Sequence, residues 1–164
     1  MEERPPLPLA LPIYKLIYER KESHGIRTDD FDSYHSYCTR RLKRLRSDKQ
    51  VNFRHGKGKR YESKEITTSN AKSALHLEIL LLYAERAWAR GNAVKSEGES
   101  GTFPPSKIPR YFKNKISKAV KWAENLLLIC KSSADDRTCI EALAYFSYLK
   151  GVLSSENEHF EEAL

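Results

Sequence analysis

Long apolar runs are absent from this chain, and cysteines are few. Apolar runs such as residues 79–83 are far too short to span a bilayer. The three cysteines are an odd number without a Cys-x-x-Cys pair, which argues against a disulfide framework and indicates a reducing compartment. Acidic Glu2 and Glu3, followed by several prolines, argue against a signal peptide. We therefore expect a soluble intracellular protein.

Residues that could carry out catalysis or hold a metal ion do not cluster in the sequence. The five histidines are scattered, and no His-Glu-x-x-His pair occurs. The run GKGKR at 56–60 lacks the phosphate-loop pattern, because Arg60 stands where that pattern needs serine or threonine. Acid pairs such as Asp29 and Asp30 stand at predicted helix starts, where capping explains them. We therefore expect no enzyme activity, no metal site and no cofactor.

Acidic side chains are almost missing from residues 40–60, where basic side chains are dense. That segment holds ten lysines and arginines and a single acid, Asp48, so its net charge is +9 in a chain whose total is +7. From Lys121 to the end there are instead four bases and eight acids. A basic front and an acidic tail of this kind steer the approach of an anionic partner.

Five of these cations lie in the run YCTRRLKRLR at 37–46. The two leucines of this run continue an apolar stripe that begins at Phe31, in steps of three and four residues that keep the stripe on one side of a helix. At about 100° per residue, Arg40, Lys43 and Arg44 would then project from the opposite side. One helix could therefore be held to a core and still present a row of positive charge.

No segment shows a convincing strand pattern, and the apolar periodicity predicts an all-α protein made of antiparallel helical hairpins. The predicted helices cover 9–24, a stretch from the caps at 28–30 to 46, 70–96, 105–131 and 135–155, and a sixth helix begins at 158. A proline-rich leader at 1–8 precedes them. The basic stretch 47–66 is predicted to be a mobile or partly ordered loop.

The C-terminal part indicates a helical repeat. Gly151, Phe160 and Ala163 have the 8–17–20 spacing of a tetratricopeptide repeat, where small residues let two helices pack closely. We therefore expect residues 9–164 to form one tetratricopeptide-like domain, the N-terminal fragment of a longer protein.

Nucleic acid is the leading interpretation of the basic surface, because a row of cations on a rigid helix suits a polyphosphate. The candidate RNA-binding residues are Tyr37, Arg40, Arg41, Lys43, Arg44, Arg46, Lys49, Arg54, Lys57, Lys59, Arg60, Lys107, Arg110, Lys115, Lys118 and Lys121. Three alternatives stay open: a solvated face or nuclear-import segment, a membrane-surface contact, and a protein-binding helical scaffold. The stripe at 107–121 is equally well explained as a second phosphate-contacting edge or as a soluble face.

The type of nucleic acid follows partly from groove geometry. A regular RNA helix has a major groove too deep and narrow for a protein helix, but bulges, internal loops and junctions can open it. Arginine also offers planar forks that suit phosphates and guanine edges. DNA remains possible because its major groove already admits a helix.

The run at 37–46 resembles the arginine-rich motif of the 68-kilodalton subunit of the eukaryotic signal recognition particle. In that family a similar run follows a His-Gly-hydrophobic-Arg segment and an acid-rich helix start, which correspond here to 24–27 and 29–31. Further segments resemble the family in the same order: AERAW at 84–88, KAVKWAENL at 118–126 and EALAYFSYLKG at 141–151. The resemblance covers about residues 13 to 164.

The resemblance implies a helical RNA-binding domain that binds the particle's RNA near the three-way junction of its S domain. There the arginine-rich helix would enter a widened major groove beside a bulge and bend or remodel the RNA for particle assembly. The residues that match the motif are Arg40, Arg41, Lys43, Arg44 and Arg46.

The resemblance also implies a role in protein targeting to the endoplasmic reticulum. It implies a cytoplasmic protein with nuclear and nucleolar passage during assembly. Its 72-kilodalton partner would bind a C-terminal region absent from this sequence. The alternative is a tetratricopeptide-type protein adaptor whose basic segment serves nuclear import.

Overall fold

The computed structural model describes residues 7–53 and 64–157, and every regular element in these two ranges is helical. The helices are α1 (Ile13–Ser23), α2 (Phe31–Ser47), α3 (Ala74–Glu99), α4 (Ile108–Ser133) and α5 (Asp136–Glu156), with short 3-10 turns at Ile26–Thr28 and Pro105–Lys107. The prediction of an all-α fold with five helices is therefore confirmed. The predicted start of a sixth helix at 158 lies outside the described ranges.

Helices α2 to α5 pack side by side in chain order, and neighbours run in opposite directions. Between α2 and α3, Arg46 contacts Tyr83 and Asp32 contacts Arg90. Between α3 and α4, Tyr83 stacks on Trp122 with ring centroids 4.5 Å apart, while the ammonium of Lys95 lies over the ring of Phe112. In both pairs, the contact nearer the C-terminus of one helix lies nearer the N-terminus of the other, so the two helices are antiparallel.

Helix α3 is the centre of the molecule. Its sequence is apolar on nearly every side, and fifteen of its residues are buried under α2 on one flank and α4 on the other. An all-round apolar helix needs such cover because water would otherwise contact its apolar surface. Helices α2 and α4 are instead amphipathic, with one buried stripe each. This division places the outer faces of α2 and α4 at the surface.

The predicted start of the first helix at Leu9 is wrong. Pro12 is the residue before α1, and residues 9–11 are not helical. The backbone of Leu9 pairs with the link between α4 and α5: its N–H donates to the carbonyl of Ser133 at 2.8 Å, and its carbonyl accepts from Asp135 at 2.9 Å. These long-range hydrogen bonds compete with helix formation, and sequence periodicity does not reveal them.

The structure confirms a predicted N-terminal cap of α2 but not the predicted start of α3. The side chain of Asp30 accepts a hydrogen bond from the backbone of Ser33 at 2.9 Å, so of the caps predicted at 28–30 the one at Asp30 is confirmed. Hydrogen bonds from Ser33 also hold the pKa of Asp30 below its ordinary value. The predicted start of helix three at 70 is wrong, because Asn70 closes a separate turn by binding Glu65 and Thr67.

The described parts of the basic loop are more firmly packed than expected. Val51 and Phe53 are buried just after α2, and Ile66 is buried before α3. The N–H of Phe53 donates to the carbonyl of Arg46 at 3.1 Å, which turns the chain back onto the core. Residues 54–63, including the predicted site residues Arg54, Lys57, Lys59 and Arg60, lie outside the described ranges.

Candidate nucleic-acid interface

The two sides of α2 separate as the sequence predicts. The apolar side is fully covered, with Tyr34, Cys38 and Leu42 at 0% exposure. On the opposite side an exposed surface is formed by Arg40, Lys43 and Arg44, which we call the cationic face of α2. Within the described part of the chain, no carboxylate lies within ion-pair distance of these three side chains. The face is therefore available to an anion from outside the protein.

The other cations of the predicted motif have partners within the protein. The Nε of Arg41 donates to Oε1 of buried Glu78 at 3.0 Å, and Arg20 of α1 binds the same oxygen. Arg46 donates to the hydroxyl of Tyr83 at 3.2 Å, with its guanidinium 5.7 Å from that ring. Both arginines are half-buried, so they hold α2 against α3 at the edges of the cationic face.

Tyr37 is also half-buried and is engaged inside the protein. Its ring stacks on His24 with centroids 3.7 Å apart and planes at 12°. Burial first, and then the charges of Arg40 and Arg20, lower the pKa of His24, so that imidazole is neutral at physiological pH. The stack joins the end of α1 to the middle of α2 and fixes how α2 is oriented.

A buried carboxylate fixes the rotation of α2 about its axis. Glu85 of α3 is 2% exposed and accepts hydrogen bonds from the hydroxyls of Tyr34 at 2.5 Å and Tyr145 at 2.7 Å, with Lys21 3.5 Å away. Burial, and then the Glu85 charge, raise the pKa of both tyrosines, so both remain donors. Because Tyr34 points inward to this carboxylate, the cationic face must point outward.

A second basic feature lies where α2, α3 and α4 meet. This is a cleft of about 200 Å³ with a floor formed by Tyr83 and Trp122. Its walls carry five basic side chains, His35, Arg86, Arg90, Lys115 and Lys118, and none of the carboxylates in residues 7–53 and 64–157 lines it. We call this concavity the basic cleft.

The sequence predicted two residues of the basic cleft and missed three. Lys115 and Lys118 belong to the predicted stripe on α4, whereas His35, Arg86 and Arg90 were not proposed. The two arginines stand one turn apart in α3. The apolar residues around them predict a helix buried on nearly every side, so this pattern indicates no basic surface there. The arginines' spacing of four residues is the one signal that could have indicated them.

The remaining predicted cations lie on separate parts of the surface. Lys107 and Arg110 are exposed at the start of α4, Lys121 is exposed near its middle, and Lys49 is exposed just after α2. None of these four has an ion pair within residues 7–53 and 64–157.

Among the described residues, no group of three or more His, Cys, Asp or Glu side chains could hold a metal ion. In the same ranges no helix is both long enough and apolar enough to cross a membrane.

Sequence comparison finds relatives across distant eukaryotes. The chain is 32% identical over 154 residues to the signal recognition particle subunit SRP68 of Drosophila melanogaster, which covers 91% of this chain and 24% of that protein. It is 34% identical over 145 residues to the subunit of the same name from Dictyostelium discoideum, covering 85% of this chain and 23% of that protein. The chain thus spans about a quarter of the length of these relatives.

Structural comparison agrees on the fold. The solved structure of the SRP68-RBD from Chaetomium thermophilum superposes with a TM-score of 0.74 over 90% of this chain and 68% of that chain, at 23% identity. The family model described as RNA-binding signal recognition particle 68 matches residues 26–164, which include α2 and the basic cleft. The chain therefore belongs to the SRP68 family, as its resemblance to the 68-kilodalton subunit indicated.

Proposed function

We propose that this chain binds the RNA of the signal recognition particle through the cationic face of α2. The observation that carries the proposal is the exposure of Arg40, Lys43 and Arg44 on a helix whose opposite side is completely buried. Because these three cations stand on a helix that is already formed, binding phosphates costs side-chain entropy but no backbone ordering. Membership of the SRP68 family supports the same function.

The proposed RNA target is a widened major groove near the three-way junction of the S domain. Helix α2 has 17 residues and is therefore about 25 Å long, with its cations in the C-terminal half. A regular RNA major groove would not admit this helix, so the target must contain a bulge or junction that opens the groove. Insertion there bends or remodels the RNA during particle assembly.

The proposal also has a wider context in the cell. Particle assembly serves protein targeting to the endoplasmic reticulum and places the protein in the cytoplasm, with nuclear and nucleolar passage. We propose that the 72-kilodalton subunit binds a part of the longer protein outside this sequence. Neither Arg41 nor Arg46 is expected to be a principal RNA contact, since both hold α2 in place.

The test replaces Arg40, Lys43 and Arg44 by alanine in a single protein, which we call the α2 triple variant. Each charge-assisted hydrogen bond contributes about 1.5–3 kcal/mol, so we expect the RNA dissociation constant to rise by at least about 100-fold in a gel-shift assay. The melting temperature should not fall, because these side chains make no ion pair within the described part of the chain.

Two controls make the result specific. Lys15, Lys131 and Lys150 are exposed elsewhere, and replacing these three with alanine removes the same charge. This control variant should bind RNA almost as tightly as the original chain. Leu42→Ala on the buried side should instead lower the free energy of unfolding by about 2–5 kcal/mol. Equal RNA affinity of both triple variants would refute the proposal.

A protein adaptor is the second candidate function, and one observation favours it. The outer side of α5 exposes apolar side chains, with Ile140 67%, Leu143 48% and Tyr148 53% exposed. Such a patch suits contact with another protein or helix. An adaptor that acted only through this patch would keep its affinity in the α2 triple variant and would respond little to salt.

A further inference from the structure

We propose that the basic cleft is a separate subsite that binds one backbone phosphate of the RNA. This inference rests on the proposed function, but it concerns a different part of the surface from the cationic face of α2. Four permanent cations from two helices converge on one concavity, and His35 closes it from a third.

The arrangement of charge indicates an anion as the ligand. Arg86 and Arg90 project from successive turns of α3, and Lys115 and Lys118 project from α4 opposite them. Neither lysine forms an ion pair within the described ranges. Like charges that line one concavity repel one another, so an anion in the basic cleft would reduce this repulsion in addition to making new contacts.

Three basic side chains of the basic cleft are already held by neighbouring residues. Arg90 is held by Glu97 at 2.7 Å and Asp32 at 3.3 Å, both outside the cleft lining. The guanidinium of Arg86 lies 5.6 Å from the ring of Tyr83, and the ammonium of Lys115 lies 5.1 Å from that of Tyr111. A preorganised donor set binds more tightly because less side-chain entropy is lost.

The size of the basic cleft selects a phosphate group. Its volume of about 200 Å³ is several times the roughly 30 Å³ that one water molecule occupies in the liquid. It is smaller than the range of about 300–1,000 Å³ that is typical of pockets for whole small molecules. A phosphate group with its hydration fits this space, while the attached sugar and base stay outside.

The basic cleft is continuous with the proposed RNA-binding helix. Tyr83 forms part of the floor and also accepts the hydrogen bond from Arg46 at 3.2 Å. Arg46 lies at the edge of the cationic face of α2. An RNA strand that lies on α2 can therefore continue over Tyr83 and place a further phosphate between α3 and α4.

His35 provides an internal indicator of an anion. Desolvation first, and then the charges of Arg86 and Arg90, lower its pKa; Asp32 opposes this effect and Lys115 adds to it. A phosphate in the basic cleft would offset the three cations. We expect the pKa of His35 to rise on binding. Affinity for the anion should therefore increase as the pH falls and His35 becomes protonated.

The first experiment uses NMR and inorganic phosphate as the probe. The chain has two tryptophans, and their indole N–H signals separate the basic cleft from the core, since Trp122 lines the cleft and Trp88 does not. Phosphate should shift the Trp122 signal and raise the pKa of His35, while the Trp88 signal stays constant. The α2 triple variant should respond in the same way. A Trp122 signal that does not move would overturn the proposal.

The second experiment measures RNA binding by Lys115→Gln/Lys118→Gln. Loss of one phosphate contact should make the slope of log Kd against log salt shallower by about 0.9. The matched control is Lys113→Gln/Lys131→Gln, which removes two exposed cations of α4 from outside the basic cleft and should leave the slope unchanged. If the cleft variant behaves like its control although Trp122 responds to phosphate, the cleft is not an RNA subsite, and the proposal is wrong.

The two proposals fail in distinguishable ways. Loss of RNA binding in the α2 triple variant, with no effect of the cleft variant, would leave the proposed function intact and remove the subsite. Absence of RNA binding by the unaltered chain, with a Trp122 signal that responds to phosphate, would refute both the function and the RNA subsite and would leave an anion site.

Discussion

Neighbouring arginines of α2 differ in role because they differ in direction. Arg40 is exposed, whereas Arg41 is held by the buried carboxylate of Glu78 at 3.0 Å. A rotation of about 100° along the helix separates the two side chains, and that is enough to turn a surface cation into an internal one. The density of positive charge in the sequence therefore overstates the number of residues available to RNA.

The buried thiols predict how stability depends on alkaline pH. The pKa of Cys38 and that of Cys130 are each raised to about 12, and burial of the thiol is the main cause. In the unfolded chain a thiol loses its proton at about pH 8.5–9, so only the unfolded state gains from deprotonation above that value. From pH 8 to 9.5 we expect urea denaturation with reductant present to show a loss of about 1.5–2.5 kcal/mol.

The control for this prediction is Cys38→Ala/Cys130→Ala. This variant will be less stable at every pH, because buried side-chain volume is lost. Its free energy of unfolding should nevertheless fall less between pH 8 and 9.5 than that of the unaltered chain. A decline of the same size in both proteins would show that other groups cause it.

At the scale of the helix, the turn before α2 sets where that helix begins. Gly25 has a backbone φ of 107°, a conformation that residues other than glycine rarely adopt. Its carbonyl accepts hydrogen bonds from Thr28 at 3.1 Å and from Asp30 at 2.9 Å. The turn thereby places Asp30 to cap α2. The glycine is needed for this backbone geometry, which no side-chain contact could replace.

We predict that Gly25→Ala destabilises the fold for two reasons. The left-handed backbone costs a residue with a Cβ about 1–2 kcal/mol. A Cβ there would also lie 2.8 Å from the carbonyl oxygen of Asp30, and such overpacking typically costs about 1–3 kcal/mol. Urea denaturation should therefore show a loss of about 2–5 kcal/mol in total.

Gly101 offers a matched control for this substitution. It also has a positive φ, 78°, but a Cβ there would meet nothing within 4 Å. Gly101→Ala should therefore show the backbone contribution alone, about 1–2 kcal/mol. Equal losses for the two variants would mean that the contact with Asp30 relaxes without cost.

At the scale of the whole molecule, the distribution of charge predicts how binding responds to salt. The chain carries +7 overall, with a basic segment at 40–60 and an acidic C-terminal part. If the RNA complex contains 6–10 phosphate contacts, affinity should fall by about 10³–10⁵-fold between 50 and 200 mM salt. Filter binding across this range measures the slope.

The same salt series needs a folding control. The melting temperature of the unbound chain, measured at each salt concentration, should show that the protein stays folded throughout. The α2 triple variant should give a shallower slope than the unaltered chain, because fewer counterions are released. Affinity that is nearly independent of salt would contradict an RNA-binding function and favour the protein adaptor.

The sequence by itself determined the helical class, the family and the outward direction of the cationic face. The direction of the cationic face depends on local order along one helix: the leucine spacing in α2 sets which side is buried, and Asp30 caps its first turn. The ordered set of short segments was sufficient to indicate the SRP68 family. Information of this kind lies in short segments and in their order along the chain, and it needs no tertiary contact.

Only the tertiary structure decided which cations are available and where a second site lies. The starts of α1 and α3 shifted because Leu9 pairs with the α4–α5 link and Asn70 closes its own turn. Arg41 became internal because Glu78 lies 37 residues away in sequence but beside it in space. The basic cleft combines side chains from three helices. The physical reason is common to all: a hydrogen bond or ion pair depends on distance in space, and packing sets that distance.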